Sequence, residues 1–116
     1  MKPNYFIAAL CFLLSTSAFS AQVTSDTEAT RLAIDAMHEY KLTTLNDDCV
    51  LVAAAEKPAY FEITMRELHS KSCGGDPETG PRLFNIRVRK RDGRLTSDAY
   101  DGTTYQRVNR KPKPSR

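Results

Sequence analysis

The clearest pattern in the chain is a stripe of apolar positions at helical spacing between residues 29 and 40. Its members stand at i, i+3, i+4, i+7, i+8 and i+11, which is one face of an amphipathic helix. A capping box precedes the stripe, with the Ser25 hydroxyl as the acceptor and Glu28 three residues later. The pattern predicts a helix over about 26–41, with an apolar face formed by Ala29, Leu32, Ala33, Ala36, Met37 and Tyr40.

Apolar and polar residues alternate beyond the helix, and this alternation is typical of strands with one buried face. The ranges 59–69 and 83–91 show it most clearly, since each places three large apolar side chains on the same side. The apolar run 49–55 is interpreted as a preceding strand, although its alanines leave room for a helical continuation. Three strands are therefore predicted after the helix.

Asp92-Gly93 is a hairpin signal after the third strand, followed by a brief return at 94–99 and a candidate edge strand at 103–108. A helix with one apolar stripe and a sheet with one apolar face bury each other by packing together. The prediction is an α+β fold, in which one N-terminal amphipathic helix packs on a three- to four-stranded antiparallel sheet. The segment 70–82 holds three of the five glycines and two of the six prolines, and we expect a structured loop there.

The first twenty residues follow the plan of a cleavable export signal. Lys2 gives a basic start, and the apolar stretch 5–14 that follows is shorter than the roughly 20 residues needed to cross a bilayer. Ala18 and Ser20 supply the small side chains that signal peptidase needs, so cleavage is predicted between Ser20 and Ala21. The signal resembles those of Gram-negative bacteria, which indicates the periplasm, and no membrane-spanning segment is expected after cleavage.

Cleavage at that point divides the chain into a signal peptide at 1–20, a single domain at 21–110 and a basic tail at 111–116. Removing 20 of the 116 residues leaves 96, which is the size of one domain. Residues 21–24 are interpreted as a flexible leader. The tail has no apolar residue apart from its prolines and is expected to be disordered.

Two cysteines remain in the mature chain, Cys49 and Cys73. In an oxidising compartment a disulfide between them is the expected state, and free thiols or a metal-binding pair are the alternatives. His38 and His69 would complete four zinc ligands, but structural zinc sites use two tightly spaced ligand pairs, and only one loose pair is present here. No metal site is predicted.

No residue set indicates catalysis. A nucleophilic site needs a base held against the nucleophile and oriented by a third group, yet the chain has only two histidines and no Gly-x-Ser-x-Gly sequence. Carboxylates at 47–48 and 76–78 offer oxygen ligands for calcium, but their spacing does not match an EF-type loop and is better explained by turn formation. We expect a protein that is not an enzyme and has no cofactor.

The mature chain keeps 16 of the 17 basic residues against 14 acidic ones, so it is close to neutral. There is no tryptophan, and the basic tail lacks the aromatic residues on which bases stack, so no nucleic-acid partner is expected. Arg87, Arg89 and Arg91 alternate on the third predicted strand and would form a cationic strip on one face, beside Arg66. The strip is either a surface for an acidic partner or a solvated face neutralised by nearby glutamates.

A short motif within the loop is similar to one found in a group of exported bacterial proteins. The motif runs from His69 through Cys73-Gly74-Gly75-Asp76-Pro77 to Pro81-Arg82 and a strand. It resembles small exported proteobacterial proteins whose activity is not established. The order of elements is also similar, in architecture alone, to PepSY-type and cystatin-like modules, and this implies a non-catalytic periplasmic domain that binds or restrains another protein.

The residues of the loop suggest a recognition element. Gly74 and Gly75 permit a tight reversal beside the disulfide, Pro77 stiffens the chain, and Arg82 is expected to brace the loop by bonding Asp76 or backbone carbonyls. The predicted function is a non-enzymatic periplasmic protein-binding module, of inhibitor or immunity type, whose partner is another periplasmic or envelope protein. The alternatives are a structural or envelope-stress accessory protein and, less favoured, a small periplasmic hydrolase.

Overall fold

A computed structural model describes residues 21–114, so the predicted signal peptide at 1–20 and the final two residues of the predicted tail lie outside it. Helix α1 spans Asp26–Glu39, and the Ser25 hydroxyl accepts a hydrogen bond from the Glu28 amide at 3.2 Å, as the capping box predicts. The helix ends two residues before the predicted position because Lys41 adopts a left-handed conformation, with φ of 49°. The Leu42 amide then bonds back to the Met37 carbonyl at 3.0 Å, as in a Schellman cap.

Five strands form one antiparallel sheet in the order β1-β2-β3-β4-β5, preceded by a short 3₁₀ turn at Asp47–Cys49. Their bounds are β1 Val50–Glu56, β2 Tyr60–Glu67, β3 Arg82–Arg89, β4 Leu95–Ser97 and β5 Gln106–Arg107. The fold class is therefore confirmed, although the sheet has five strands rather than three to four. β4 and β5 lie within the predicted return at 94–99 and the candidate edge strand at 103–108, and counting both gives five strands.

Helix α1 covers one face of the sheet, and the core lies between them. The predicted alternation is confirmed, since every second residue of β2 and β3 is buried on the helix side. The apolar stripe of α1 packs against these residues, which removes apolar surface from water on both layers. The innermost side chains are Ala29, Ala33, Phe61, Ile63, Met65, Ile86 and Val88.

The predicted leader contributes to this core. Val23 is buried, and its amide donates to the Lys90 carbonyl at 2.8 Å. The interpretation of 21–24 as a flexible leader is therefore wrong. A single apolar residue in a polar segment has no periodicity that would predict its burial.

A disulfide joins Cys49 and Cys73, as predicted, with their Cα atoms 5.6 Å apart. It connects the beginning of β1 to the loop between β2 and β3, which is the segment that the sequence singled out. Residues 111–114 carry no helix or strand. Within the described range, no helix has the length and apolar content that crossing a bilayer requires.

Candidate functional site

The predicted loop at 70–82, whose last residue Arg82 is the first of β3, projects from the end of the β2–β3 pair, with most of its side chains exposed. The disulfide fixes it at Cys73, and the Gly74 amide bonds to the Ser70 carbonyl at 2.8 Å. At the far side, the Glu67 amide donates to the Pro81 carbonyl at 2.9 Å. The loop is thus tied to the sheet at both of its ends.

His69 holds the middle of the loop. Its Nδ1 lies 2.8 Å from the Asp76 carbonyl oxygen and 3.0 Å from the Thr79 hydroxyl, and its Nε2 lies 2.7 Å from a carboxylate oxygen of Glu67. The ring is only 14% exposed. We call this arrangement of His69, Glu67, Asp76 and Thr79 the histidine clasp.

The clasp favours the protonated imidazolium. A carbonyl and a carboxylate only accept hydrogen bonds, so both ring nitrogens donate when the clasp is fully formed, which requires two N–H groups. The bond to Glu67, followed by the bond to the Asp76 carbonyl, raises the pKa of His69 above its ordinary value. From the sequence, His69 was considered only as a disfavoured zinc ligand and as the start of the loop motif, and these partners were missed; the Glu67-x-His69 spacing was the only local signal for one of them.

The ring of His69 lies directly against the backbone of Gly75. A Cβ atom at Gly75 would stand 2.6 Å from the ring, whereas a Cβ at Gly74 would meet nothing within 4 Å. Both glycines have φ of 79°, which L side chains rarely adopt. The two glycines therefore have different roles: Gly74 reverses the chain, and Gly75 both reverses it and admits the histidine.

The remainder of the loop is a turn held by Asp76. Its carboxylate accepts from the Glu78 amide at 2.9 Å and its carbonyl accepts from the Thr79 amide at 3.0 Å, as expected of an Asp-Pro turn. Arg66 adds a bond from its guanidinium to the Gly80 carbonyl at 3.2 Å. Arg66 therefore supports the loop.

Arg82 does not brace the loop, so that part of the expectation is wrong. Its guanidinium donates to Asp98 at 2.6 Å, and the second oxygen of this carboxylate accepts from the Asn85 amide at 2.8 Å. Asp98 is 4% exposed and lies directly after β4. The pair therefore fixes β4 against β3. Its disruption would disturb the sheet rather than the loop.

The predicted cationic strip is only partly present as a strip. Arg87 and Arg89 lie on β3, but Arg91 lies beyond its end, in the turn, with 77% of its side chain exposed. Arg89 forms a two-pronged ion pair with Asp92, and hydrogen bonding from Arg89 holds the pKa of Asp92 well below its usual range. The strip is shorter than predicted because the turn starts at Lys90.

The cysteines and His69 of the loop are engaged in structural bonds. The sulfur atoms of Cys49 and Cys73 form the disulfide, so neither is a thiolate that could bind zinc. Both nitrogens of His69 are engaged as donors in the clasp, while Nε2 of His38 lies 2.7 Å from Asp47 on the exposed end of α1. Among residues 21–114, no group of three or more His, Cys, Asp or Glu side chains is arranged to hold a metal ion.

The fold and the site together define a small α+β domain with a loop anchored by a disulfide and a histidine. No protein-family model, curated protein or solved structure matches the chain. The resemblance to exported proteobacterial proteins therefore stays a prediction.

Proposed function

We propose that the protein is a non-enzymatic, periplasmic protein-binding module, of inhibitor or immunity type, which contacts its partner through the loop at 70–82. The observation that carries the proposal is the way this loop is held. A disulfide, a histidine clasp and a backbone-bonded turn fix it in one conformation, while its side chains stay exposed.

Rigidity of this kind favours binding because ordering a loop costs free energy. A flexible loop loses about 1–2 kcal/mol of backbone conformational entropy for each residue that a partner immobilises. A loop that is already ordered in the free protein avoids that loss at the moment of association. Recognition loops on stable sheets use the same arrangement.

Two exposed leucines lie near the disulfide that anchors the loop. Leu45 and Leu51, the large apolar residues exposed in the described range, are 36% and 50% exposed and lie within four residues of Cys49. Leu45 also lines a shallow depression with Gly74 and Gly75, beside the disulfide. Exposed leucines next to a rigid polar loop match the usual composition of protein interfaces, in which an apolar centre is surrounded by a polar rim.

The proposed compartment depends on two features. The disulfide requires oxidising conditions to form and persist, and the sequence begins with a predicted export signal. Engagement of both nitrogens of His69 supports a binding role over a catalytic one, because a general base needs a free lone pair.

Site-specific photo-crosslinking in the bacterial envelope tests the proposal. A photoreactive residue at Lys71 or Glu78, whose side chains are exposed on the loop, is expected to give one discrete protein adduct. The same residue at Arg31, on the exposed side of α1, is the matched control and is expected to give none.

A charge exchange on the loop sharpens the test. Lys71→Glu combined with Glu78→Lys keeps the net charge and touches no side-chain hydrogen bond of the loop, and it is expected to abolish the adduct. The control exchange, Arg31→Asp with Asp35→Arg, preserves the helix ion pair and should leave the adduct intact. No adduct from either loop position, with the protein folded and present in the periplasm, would refute the proposal and favour an accessory protein without a tight partner.

A further inference from the structure

The outer face of the sheet, opposite α1, carries an arginine whose charge is not matched by a hydrogen-bonded acceptor. The guanidinium carbon of Arg87 lies over two aromatic rings, 3.6 Å from the centre of Tyr105 and 4.9 Å from that of Tyr60. Its Nε is buried and has no hydrogen-bond partner among the described residues. With 36% of its side chain exposed, Arg87 keeps its terminal N–H groups available to an acceptor.

The nearest carboxylate is already engaged elsewhere. A Glu62 oxygen lies 3.8 Å from Nε of Arg87. The same oxygen accepts hydrogen bonds from the side-chain amide of Asn85 and from the Tyr105 hydroxyl, both at 3.1 Å. Burial raises the pKa of Tyr105, which keeps its hydroxyl protonated as the donor. Glu62 therefore lowers the cost of burying Arg87 without satisfying its N–H groups.

A cleft opens beside this guanidinium. It has a volume of about 160 Å³ and is lined by Ala59, Tyr60, Arg87, Arg89, Arg94 and Thr96. Arg94 has no ion pair or side-chain hydrogen bond with any residue in the range 21–114, while Arg89 is held by Asp92. Two arginines thus remain to bind a ligand, with the Thr96 hydroxyl and the Tyr60 ring at the walls.

We propose that this cleft binds the carboxylate of an acidic peptide segment, with Arg87 and Arg94 as the charged contacts. A planar arginine fork matches a carboxylate through two parallel hydrogen bonds. The volume lies below the roughly 300–1,000 Å³ of sites that enclose a whole small molecule, so it suits a single side chain or a chain end.

The local charge favours a carboxylate over a phosphate. Arg89 and Asp92 neutralise each other, and Glu62 offsets one of the two remaining arginines. A cleft with one uncompensated positive charge matches a monoanion, whereas a phosphate near neutral pH carries closer to two negative charges. The wall formed by Tyr60 and Ala59 suits the aliphatic part of a glutamate or aspartate side chain.

NMR titration of the purified protein tests the proposal through the Nε–H signals of its arginines. The probes are a capped hexaglutamate peptide, a capped hexaglutamine peptide and inorganic phosphate. Hexaglutamate is expected to shift the Arg87 and Arg94 signals in a saturable way, hexaglutamine is expected to have no effect, and phosphate is expected to bind more weakly.

Three substitutions distinguish a defined binding site from non-specific electrostatic attraction. Arg94→Gln is expected to weaken hexaglutamate binding about tenfold, which corresponds to the loss of one charged contact. Arg91→Gln removes the same charge three residues away, at a highly exposed position outside the cleft, and should change the affinity less than about twofold. Arg87→Lys keeps the charge but loses the fork, and is expected to weaken binding at least as much as Arg94→Gln.

Equal weakening by Arg94→Gln and Arg91→Gln would overturn the proposal, since it would show diffuse attraction only. Binding of phosphate in preference to hexaglutamate would overturn the assignment to a carboxylate. If Arg87→Lys does not fold, the comparison at Arg94 decides the outcome alone. The charge-exchanged loop variant is expected to bind hexaglutamate like the wild type, so this site and the loop stand or fall separately.

Discussion

Substitution of the two neighbouring glycines by alanine isolates the energetic role of the histidine clasp. Gly74 and Gly75 share φ of 79°, so alanine is strained equally at both. Left-handed backbone costs alanine about 1–2 kcal/mol, and the lower entropy of the unfolded chain returns about 0.4–1 kcal/mol, so Gly74→Ala should lose about 1 kcal/mol. Nothing else is expected there, because a Cβ at Gly74 meets open space.

Gly75→Ala carries the same strain and an additional overlap. Its Cβ would stand 2.6 Å from the ring of His69, so the ring must move out of its bonds to Glu67 and the Asp76 carbonyl. Overpacking of this kind costs about 1–3 kcal/mol, which gives a total loss of about 2–4 kcal/mol for Gly75→Ala when added to the backbone strain. For a domain of this size, each kcal/mol of difference in unfolding free energy between the variants corresponds to about 4–8 °C in Tm.

Thermal and urea unfolding of both variants measure this difference, and the same substitutions in a His69→Ala background show its origin. In His69→Ala protein the overlap is gone, so Gly74→Ala and Gly75→Ala should lose equal stability, which is the logic of a double-mutant cycle. Equal losses in the wild-type background, or an excess for Gly75→Ala that persists without His69, would refute the reasoning.

Three further predictions concern the disulfide, His69 and Asp98. The 24-residue separation of Cys49 and Cys73 gives a loss of about 3.5 kcal/mol from loop-closure entropy on Cys49→Ser, and urea unfolding at an unchanged midpoint would contradict this. Stability should fall as pH rises from about 6.5 through the raised pKa of His69, because the folded protein binds more protons there than the unfolded chain. Melts across the pH range are expected to lose this slope in His69→Gln and to keep it in the control His38→Gln. Asp98→Ala should lose about 2–4 kcal/mol in urea unfolding, because two donors lose a buried acceptor, and a loss below about 0.5 kcal/mol, typical of an ordinary surface change, would show that they find other acceptors.

The parts of the fold that were predictable are those in which local pattern and tertiary packing agree. The stripe and cap of α1 and the alternation in β2 and β3 each repeat over several residues, so their periods identify both the element and its buried face. β5 has only two residues and is held by its pairing with β4. A strand that short has no period of its own, which is why 103–108 was only a candidate edge strand and the predicted number of strands was three to four.

The incorrect prediction for Arg82 concerns a hydrogen-bond partner that depends on the register of the sheet. Asp76 is nearer to Arg82 in sequence than Asp98 is, and it was therefore the expected partner. Pairing of β3 with β4 places Ser97 opposite Ile86, and the chain that leaves β4 then brings Asp98 against Arg82. The sequence around Arg82 does not indicate that register.

The loop and the arginine cleft lie at opposite ends of the same pair of strands. At one end Arg66 pairs with Arg82 beside the loop, and at the other Tyr60 pairs with Arg89 beside the cleft. The six residue steps from Tyr60 to Arg66, at about 3.3 Å each, separate them by about 20 Å. Perturbations that far apart are additive when they act on one interface. If a single partner contacts both ends, the loop exchange and Arg94→Gln should therefore add in binding free energy, whereas two separate partners would each respond to only one of the changes.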